Sequence, residues 1–168
     1  LWPFNSESSS FWQPLGFASM ASVLRENGFD VQIIDCLAMK MGWESLKKKL
    51  QLSDFSVVCL GDETASAGES IKLAEMIKKI SPESRVIAGG FFFPNMPDHS
   101  LRKWNIDYLI KGEGEQSLLC LISHLCKKNR VKSYLTDRGF IKNKNISDIR
   151  GLIYLDNGDI INNKESKL

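Results

Sequence analysis

The chain has 168 residues, 43% of them hydrophobic and 25% charged, with a formal net charge of +2. That length suits one compact domain with its own core and leaves little room for a two-domain enzyme. The composition excludes a disordered chain, and no apolar run approaches the roughly 20 residues that a membrane-spanning helix requires. Basic residues are scattered among acidic ones except in Lys47-Lys48-Lys49 and between Lys127 and Lys132, and the aromatics sit in apolar segments. A nucleic-acid partner, which calls for a basic stripe interleaved with stacking rings, is therefore not indicated. The first ten residues lack the basic start and long apolar stretch of a secretory signal, so the cytoplasm is the expected compartment. Cys36, Cys59, Cys120 and Cys126 form no CxxC pair and have no histidine at zinc-finger spacing, so they read as small apolar residues in a reducing compartment.

Apolar runs suited to buried strands alternate with segments of helical period, the pattern of a parallel sheet covered by helices on both faces. Leu1-Trp2-Pro3-Phe4-Asn5 reads as the end of a first strand whose earlier residues are absent. Leu15, Ala18, Met20, Ala21, Val23 and Leu24 recur at helical spacing, and Gly28 supplies the left-handed stop for a helix ending at Asn27. Val31 to Ile34 reads as a short strand closed by Asp35, and Trp43 to Leu50 as a short amphipathic helix. Phe55 to Leu60 is almost wholly apolar, as a parallel strand buried on both faces should be. A helix is expected from about Ala67 to Ile80, with Ile71, Ala74 and Ile77 facing the sheet and Pro82 just beyond its end.

Arg85 to Ala88 is the next strand, broken by Gly89-Gly90, and a short helix near His99 to Trp104 leads to the strand Tyr108 to Ile110. The helix from about Glu115 to Cys126 places Leu118, Leu119, Ile122 and Leu125 on one side. Residues 128–149 turn polar and read as a linker or surface excursion, whereas Asp156-Asn157-Gly158 between two apolar runs predicts a hairpin within residues 150–168. The expectation is an α/β domain over residues 1–127, doubly wound around five parallel strands in three α/β/α layers, with a C-terminal β-hairpin.

In such sheets ligands bind outside the carboxyl ends of the strands, where strand order reverses. Three loops lie there: Gly61-Asp62-Glu63-Thr64, Gly89-Gly90-Phe91 and Gly112-Glu113-Gly114-Glu115. Glycine in each lets the backbone approach a planar or polyanionic group, although turn chemistry alone also favours it. Glu113 and Glu115 at a helix start suit either capping or the positioning of ligand-facing backbone. Phe91-Phe92-Phe93 is apolar surface in need of a partner. His99 and His124 have no carboxylate or cysteine at ligand spacing, and no GxSxG, HExxH or GxxxxGK[ST] string occurs, so the chain has no catalytic set of its own.

Taken in order, Pro14-Leu15-Gly16-Phe17-Ala18, Glu26-Asn27-Gly28-Phe29-Asp30-Val31, Ile33-Ile34-Asp35, Gly61-Asp62-Glu63-Thr64, Gly89-Gly90 and Ile110-Lys111-Gly112-Glu113-Gly114-Glu115 form a recognisable series. From about Pro14 to Cys126 the chain resembles the flavodoxin-like, Rossmann-like cobalamin-binding domain that precedes the catalytic barrel of many radical SAM proteins. The resemblance implies a cobalamin site at Gly61, Asp62, Glu63, Thr64, Gly89, Gly90, Phe91, Gly112, Glu113 and Gly114. It also implies a downstream radical SAM domain carrying a 4Fe–4S cluster and S-adenosylmethionine, reached through the hairpin, and methyl transfer or radical rearrangement as the reaction of the whole enzyme. Two departures stand out: the DxHxxG string of histidine-ligated cobalamin proteins is missing, so cobalt is expected to lack a protein histidine, and CxxxCxxC is missing too. A receiver domain is opposed by the lack of an acidic pair at the first strand, while a flavin or nucleotide module and a degenerate docking domain remain alternatives of the same architecture.

Overall fold

The computed structural model describes residues 14–61, 66–127, 130–132, 140–142 and 145–164. The first helix, α1 (Leu15–Glu26), buries Ala21, Val23 and Leu24 and ends where Gly28 takes φ 73°. There the Gly28 N–H donates to the Arg25 carbonyl at 2.9 Å, the expected helix stop. The segment Val31 to Ile34 carries no strand assignment. Its Val31 carbonyl accepts two bonds from the Arg25 guanidinium, at 2.6 and 3.2 Å, so a side chain rather than a neighbouring strand takes that acceptor. Asp35 then closes the segment by accepting the N–H groups of Leu37 and Ala38.

Helix α2 (Trp43–Gln51) is followed by β1 (Val57–Leu60), α3 (Ala67–Ile80) and β2 (Arg85–Ala88). A 3-10 turn (Phe93–Asn95) and α4 (Pro97–Lys103) lead to β3 (Tyr108–Ile110) and α5 (Gly114–Leu125). In the segment read as a polar linker, β4 (Arg130–Lys132) and β5 (Phe140–Lys142) form a separate antiparallel pair, and a 3-10 turn (Ile146–Asp148) precedes β6 (Leu152–Asp156) and β7 (Asp159–Asn162).

The main sheet has the order β1-β2-β3-β6-β7. Strands β1, β2 and β3 are parallel, and β6 and β7 extend them antiparallel. Among the described residues this sheet has five strands, but only three are parallel where five are expected: Val31 to Ile34 adds none, the strand expected at Leu1 to Asn5 lies outside the described residues, and the hairpin supplies the other two, antiparallel. Its turn is of the anticipated kind, with Asn157 at φ 48° and Gly158 at φ 90°. Strand residues alternate between two apolar layers. Leu60, Val86, Ala88, Leu109 and Ile153 pack with Leu46, Leu73, Ile77, Phe93 and Leu101 from α2, α3 and the α4 region. Ile87, Ile110, Leu152 and Tyr154 pack with Val23, Leu24 and the Leu118 to Ile122 run from α1 and α5. This period-two division makes the three-layer α/β/α sandwich. Among the described residues no helix is long and apolar enough to cross a membrane.

Candidate functional site

Because β1, β2 and β3 are parallel, their carboxyl ends share one edge. Leu60 lies opposite Ala88, and Ala88 opposite Leu109, while the Gly89 N–H donates to the Leu60 carbonyl at 2.9 Å. The strand exits beginning at Gly61, Gly89 and Lys111 are therefore neighbours. Beyond β2 the chain turns to α4, which packs on one face of the sheet. Beyond β3 it turns to α5 on the other. Adjacent exits that diverge to opposite faces leave a crevice between them, the place where ligands enter open α/β sheets.

Gly89 borders this crevice, and a Cβ there would meet only the Ile110 carbonyl oxygen, at 3.7 Å. Gly90 has φ 86° and Gly112 φ 80°, conformations that L side chains rarely adopt. A Cβ on Gly112 would meet nothing within 4 Å. Phe91 is 77% exposed, and its carbonyl accepts the Asn95 side-chain N–H at 2.6 Å. Its two neighbours go elsewhere: Phe92 stacks on Trp104 at 5.7 Å, and Phe93 is completely buried in the core. The aromatic run thus has one exposed member at the crevice and two structural ones.

Glu113 is exposed and occupies the N-cap position of α5 without a side-chain capping bond. Glu115 accepts a bond from the Ser19 hydroxyl at 2.8 Å, which ties α5 to α1 rather than to its own helix start. Gly61 and Gly114 differ from the other glycines. A Cβ at Gly61 would lie 2.8 Å from Cζ of Phe17, and one at Gly114 would lie 3.1 Å from the Met20 sulfur. Both glycines admit the first turns of α1 to the edge. Asp62, Glu63 and Thr64 lie outside the described residues.

The edge continues into the hairpin, where the Lys111 N–H donates to the Gly151 carbonyl at 2.9 Å and the Gly151 N–H to the Lys164 carbonyl at 3.0 Å. Gly151, at φ 67°, has no room for a Cβ against the Lys111 carbonyl. Sequence reasoning missed Phe17, Ser19, Met20 and Gly151 as parts of this edge. The available signal was that Phe17 extends the stripe of Met20, Ala21 and Leu24 by one turn, to the very start of α1.

The two histidines stand on different helices, His99 on α4 and His124 on α5. The His99 ring packs on Trp104 at 5.6 Å. His124 lies in the last turn of α5, about 15 Å along the helix from Gly114 at 1.5 Å per residue. Among the described residues no group of three or more His, Cys, Asp or Glu side chains is arranged to hold a metal ion. Burial pushes the Cys59 thiol up to about 12 and raises that of Cys36, so neither is a ready nucleophile.

Residues 2–121 match a family model described as the B12 binding domain. The chain belongs to that family. An uncharacterized methyltransferase of Pyrococcus horikoshii is 29% identical to this B12-binding domain over 150 residues, covering 89% of the chain and 29% of the relative. The anaerobic magnesium-protoporphyrin IX monomethyl ester cyclase of Rubrivivax gelatinosus is 24% identical over 121 residues, covering 70% of the chain and 22% of the relative. The chain therefore spans less than a third of the length of these curated relatives. Among solved structures, the cobalamin-dependent S-adenosylmethionine radical enzyme OxsB with aqua-cobalamin and S-adenosylmethionine bound superposes with a TM-score of 0.74 at 18% identity, over 93% of this chain and 20% of that one. The radical S-adenosylmethionine methyltransferase TsrM from Kitasatospora setae gives a TM-score of 0.69 at 18% identity, over 90% of this chain and 27% of that one. At such identities the likeness is one of fold.

Proposed function

We propose that this B12-binding domain holds cobalamin at the carboxyl edge of β1 to β3, as the corrinoid-carrying part of a larger radical SAM enzyme. The observation that carries the proposal is the divergence of the β2 and β3 exits to opposite faces of the sheet, with Gly89 and Gly112 leaving open the space a side chain would fill. A flat macrocycle needs close backbone approach and apolar contact, and Gly89, Gly90, Gly112 and the exposed Phe91 offer both. Glu113 and Gly114 border the same crevice from the start of α5, and Gly61 with Asp62, Glu63 and Thr64 completes the proposed set at the β1 exit.

When bound, the cofactor supplies a reactive cobalt–carbon bond suited to methyl transfer or radical chemistry. The protein's part is to position it and to leave its lower face without a histidine. His99 is engaged with Trp104, and His124 lies a helix length away. The 4Fe–4S cluster, S-adenosylmethionine and substrate would belong to a further domain; of these, S-adenosylmethionine is named for both structural neighbours.

Titration of the protein with hydroxocobalamin, with FMN as a control, tests the proposal. Saturable binding with a shift of the corrin absorbance is expected, and the spectrum of the bound Co(II) form should be unchanged in His99→Ala and His124→Ala. Gly89→Val is the sharper site variant, because Gly90→Val would add backbone strain at φ 86° whereas Gly89 has no left-handed φ. Loss of binding in Gly89→Val with a retained fold supports the site, and unchanged affinity counts against it.

A further inference from the structure

We infer that Phe17 is a positioning residue that walls the corrinoid shelf on the β1 side; this rests on the cobalamin function proposed above. Phe17 stands in the first turn of α1, on the same face as Ala21 and Leu24 but one turn before them. Of the phenylalanines whose side chains are described, only Phe17 and Phe91 join neither apolar cluster, whereas Phe29, Phe55, Phe92 and Phe93 all do. Both unabsorbed rings lie on the edge where the strands exit.

The Phe17 ring is held there by what is missing beneath it. Its Cζ and Cε2 lie 2.8 and 3.1 Å from where a Cβ on Gly61 would stand, the first closer than real Cβ contacts come and the second tighter than most. Any side chain at position 61 must therefore displace the ring or the helix start that bears it. On the far side of α1 the ring's neighbours offer little cover, since Leu15 is 70% exposed and a Cβ on Gly16 would meet nothing within 4 Å. The Ser19 bond to Glu115 and the Met20 sulfur beside Gly114 fix α1 to the start of α5, so the ring is carried on an anchored helix. Phe17 at the β1 exit and Phe91 at the β2 exit thus place two aromatic side chains at neighbouring exits of the edge that carries the open glycines. That arrangement suits a broad, flat, largely apolar ligand better than a small anion.

Binding of hydroxocobalamin to the purified protein, followed by absorbance and by visible circular dichroism of the corrin bands, tests the assignment. Phe17→Ala is expected to weaken binding about tenfold, the scale of losing part of one buried aromatic side chain, and to diminish the induced dichroism at saturation. Phe17→Leu should stay within about threefold of wild type, since it keeps most of the apolar bulk. Gly61→Ala should weaken binding by moving the ring, and adding Phe17→Ala should restore thermal stability without restoring affinity, a split that a purely structural ring would not produce. If Phe17→Ala fails to fold, Phe17→Leu, Gly61→Ala and the double variant decide by the same split. Wild-type affinity and dichroism in Phe17→Ala overturn the inference and leave the cobalamin function standing, and tighter binding overturns it by showing that the ring occupies the ligand's place. A wild-type protein that takes up no hydroxocobalamin removes both.

Discussion

The two ends of the same three strands are built on opposite principles. At the amino ends, Asp107 accepts the Val86 N–H at 2.7 Å, the Lys78 ammonium at 2.7 Å and the Arg85 guanidinium at 3.3 Å. Lys78 also donates to the Ser84 carbonyl, and the buried Ser84 hydroxyl donates to the Phe55 carbonyl while sharing a bond with Ser81. Side chains there satisfy backbone groups and lock the register of β2 and β3. At the carboxyl ends, glycines replace side chains, two of them in left-handed conformations, and the one large apolar group at the β2 exit is left in solvent. The contrast shows where the fold is held and where it is left free to meet a ligand: the amino end carries stability, and the carboxyl end carries backbone access.

The Phe91 to Phe93 run gives the largest effects by which that division can be broken. Phe93 is fully buried, so Phe93→Ala should cost about 3–5 kcal/mol in urea unfolding, the range for truncating a buried aromatic. Phe91→Ala, two residues away, should change stability by less than about 0.5 kcal/mol and act instead on cobalamin affinity. Equal destabilisation by the two would mean that the β2 exit is part of the core.

Asp107→Ala comes next and tests the other end. The side chains of Lys78 and Asp107 are only about a fifth exposed, so removing the carboxylate strands a partly buried ammonium and the Val86 N–H. A loss of about 2 kcal/mol is expected, with no change in hydroxocobalamin binding, and Asp107→Asn should lose less because it keeps an acceptor for Val86. A variant that retains stability but loses cofactor would reverse the assignment of the two ends.

Much of this architecture was legible from the sequence, and the exceptions share a physical cause. The strands Arg85–Ala88 and Tyr108–Ile110 and the helix Ala67–Ile80 were readable because apolar period and terminal Gly or Pro agree there. Val31 to Ile34 has the β-branched composition of a strand, but nothing local in the sequence reveals that Arg25 takes its carbonyl. Pattern alone could not show that the hairpin would extend the same sheet, because that depends on the long-range pairing of Ile110 with Leu152. The glycine-bearing exits were visible as strings. Their division into open positions, Gly89 and Gly112, and positions taken by α1, Gly61 and Gly114, depends on where Phe17 and Met20 arrive in space.

The smallest expected effect concerns Cys59, which sits on β1 two residues before Gly61, where the packed strand body gives way to the exit. Desolvation raises its thiol from 9.0 to about 12, while in the unfolded chain it ionises near the ordinary value. Between those values the unfolded state binds fewer protons than the folded one, so the stability contributed by the half-buried neutral thiol is present below about pH 9 and lost as pH rises toward about 12. Tyr108 and Tyr154, raised by burial as well, add the same sign in the alkaline range. The urea midpoint should therefore fall between about pH 8 and 10.5, and Cys59→Val should reduce that fall without abolishing it, because the tyrosines remain. Identical pH dependence in the two proteins would mean that solvent reaches the thiol and that α1 and α5 do not seal β1 up to its last residues. The boundary between the locked and open parts of the strand would then lie deeper than Gly61.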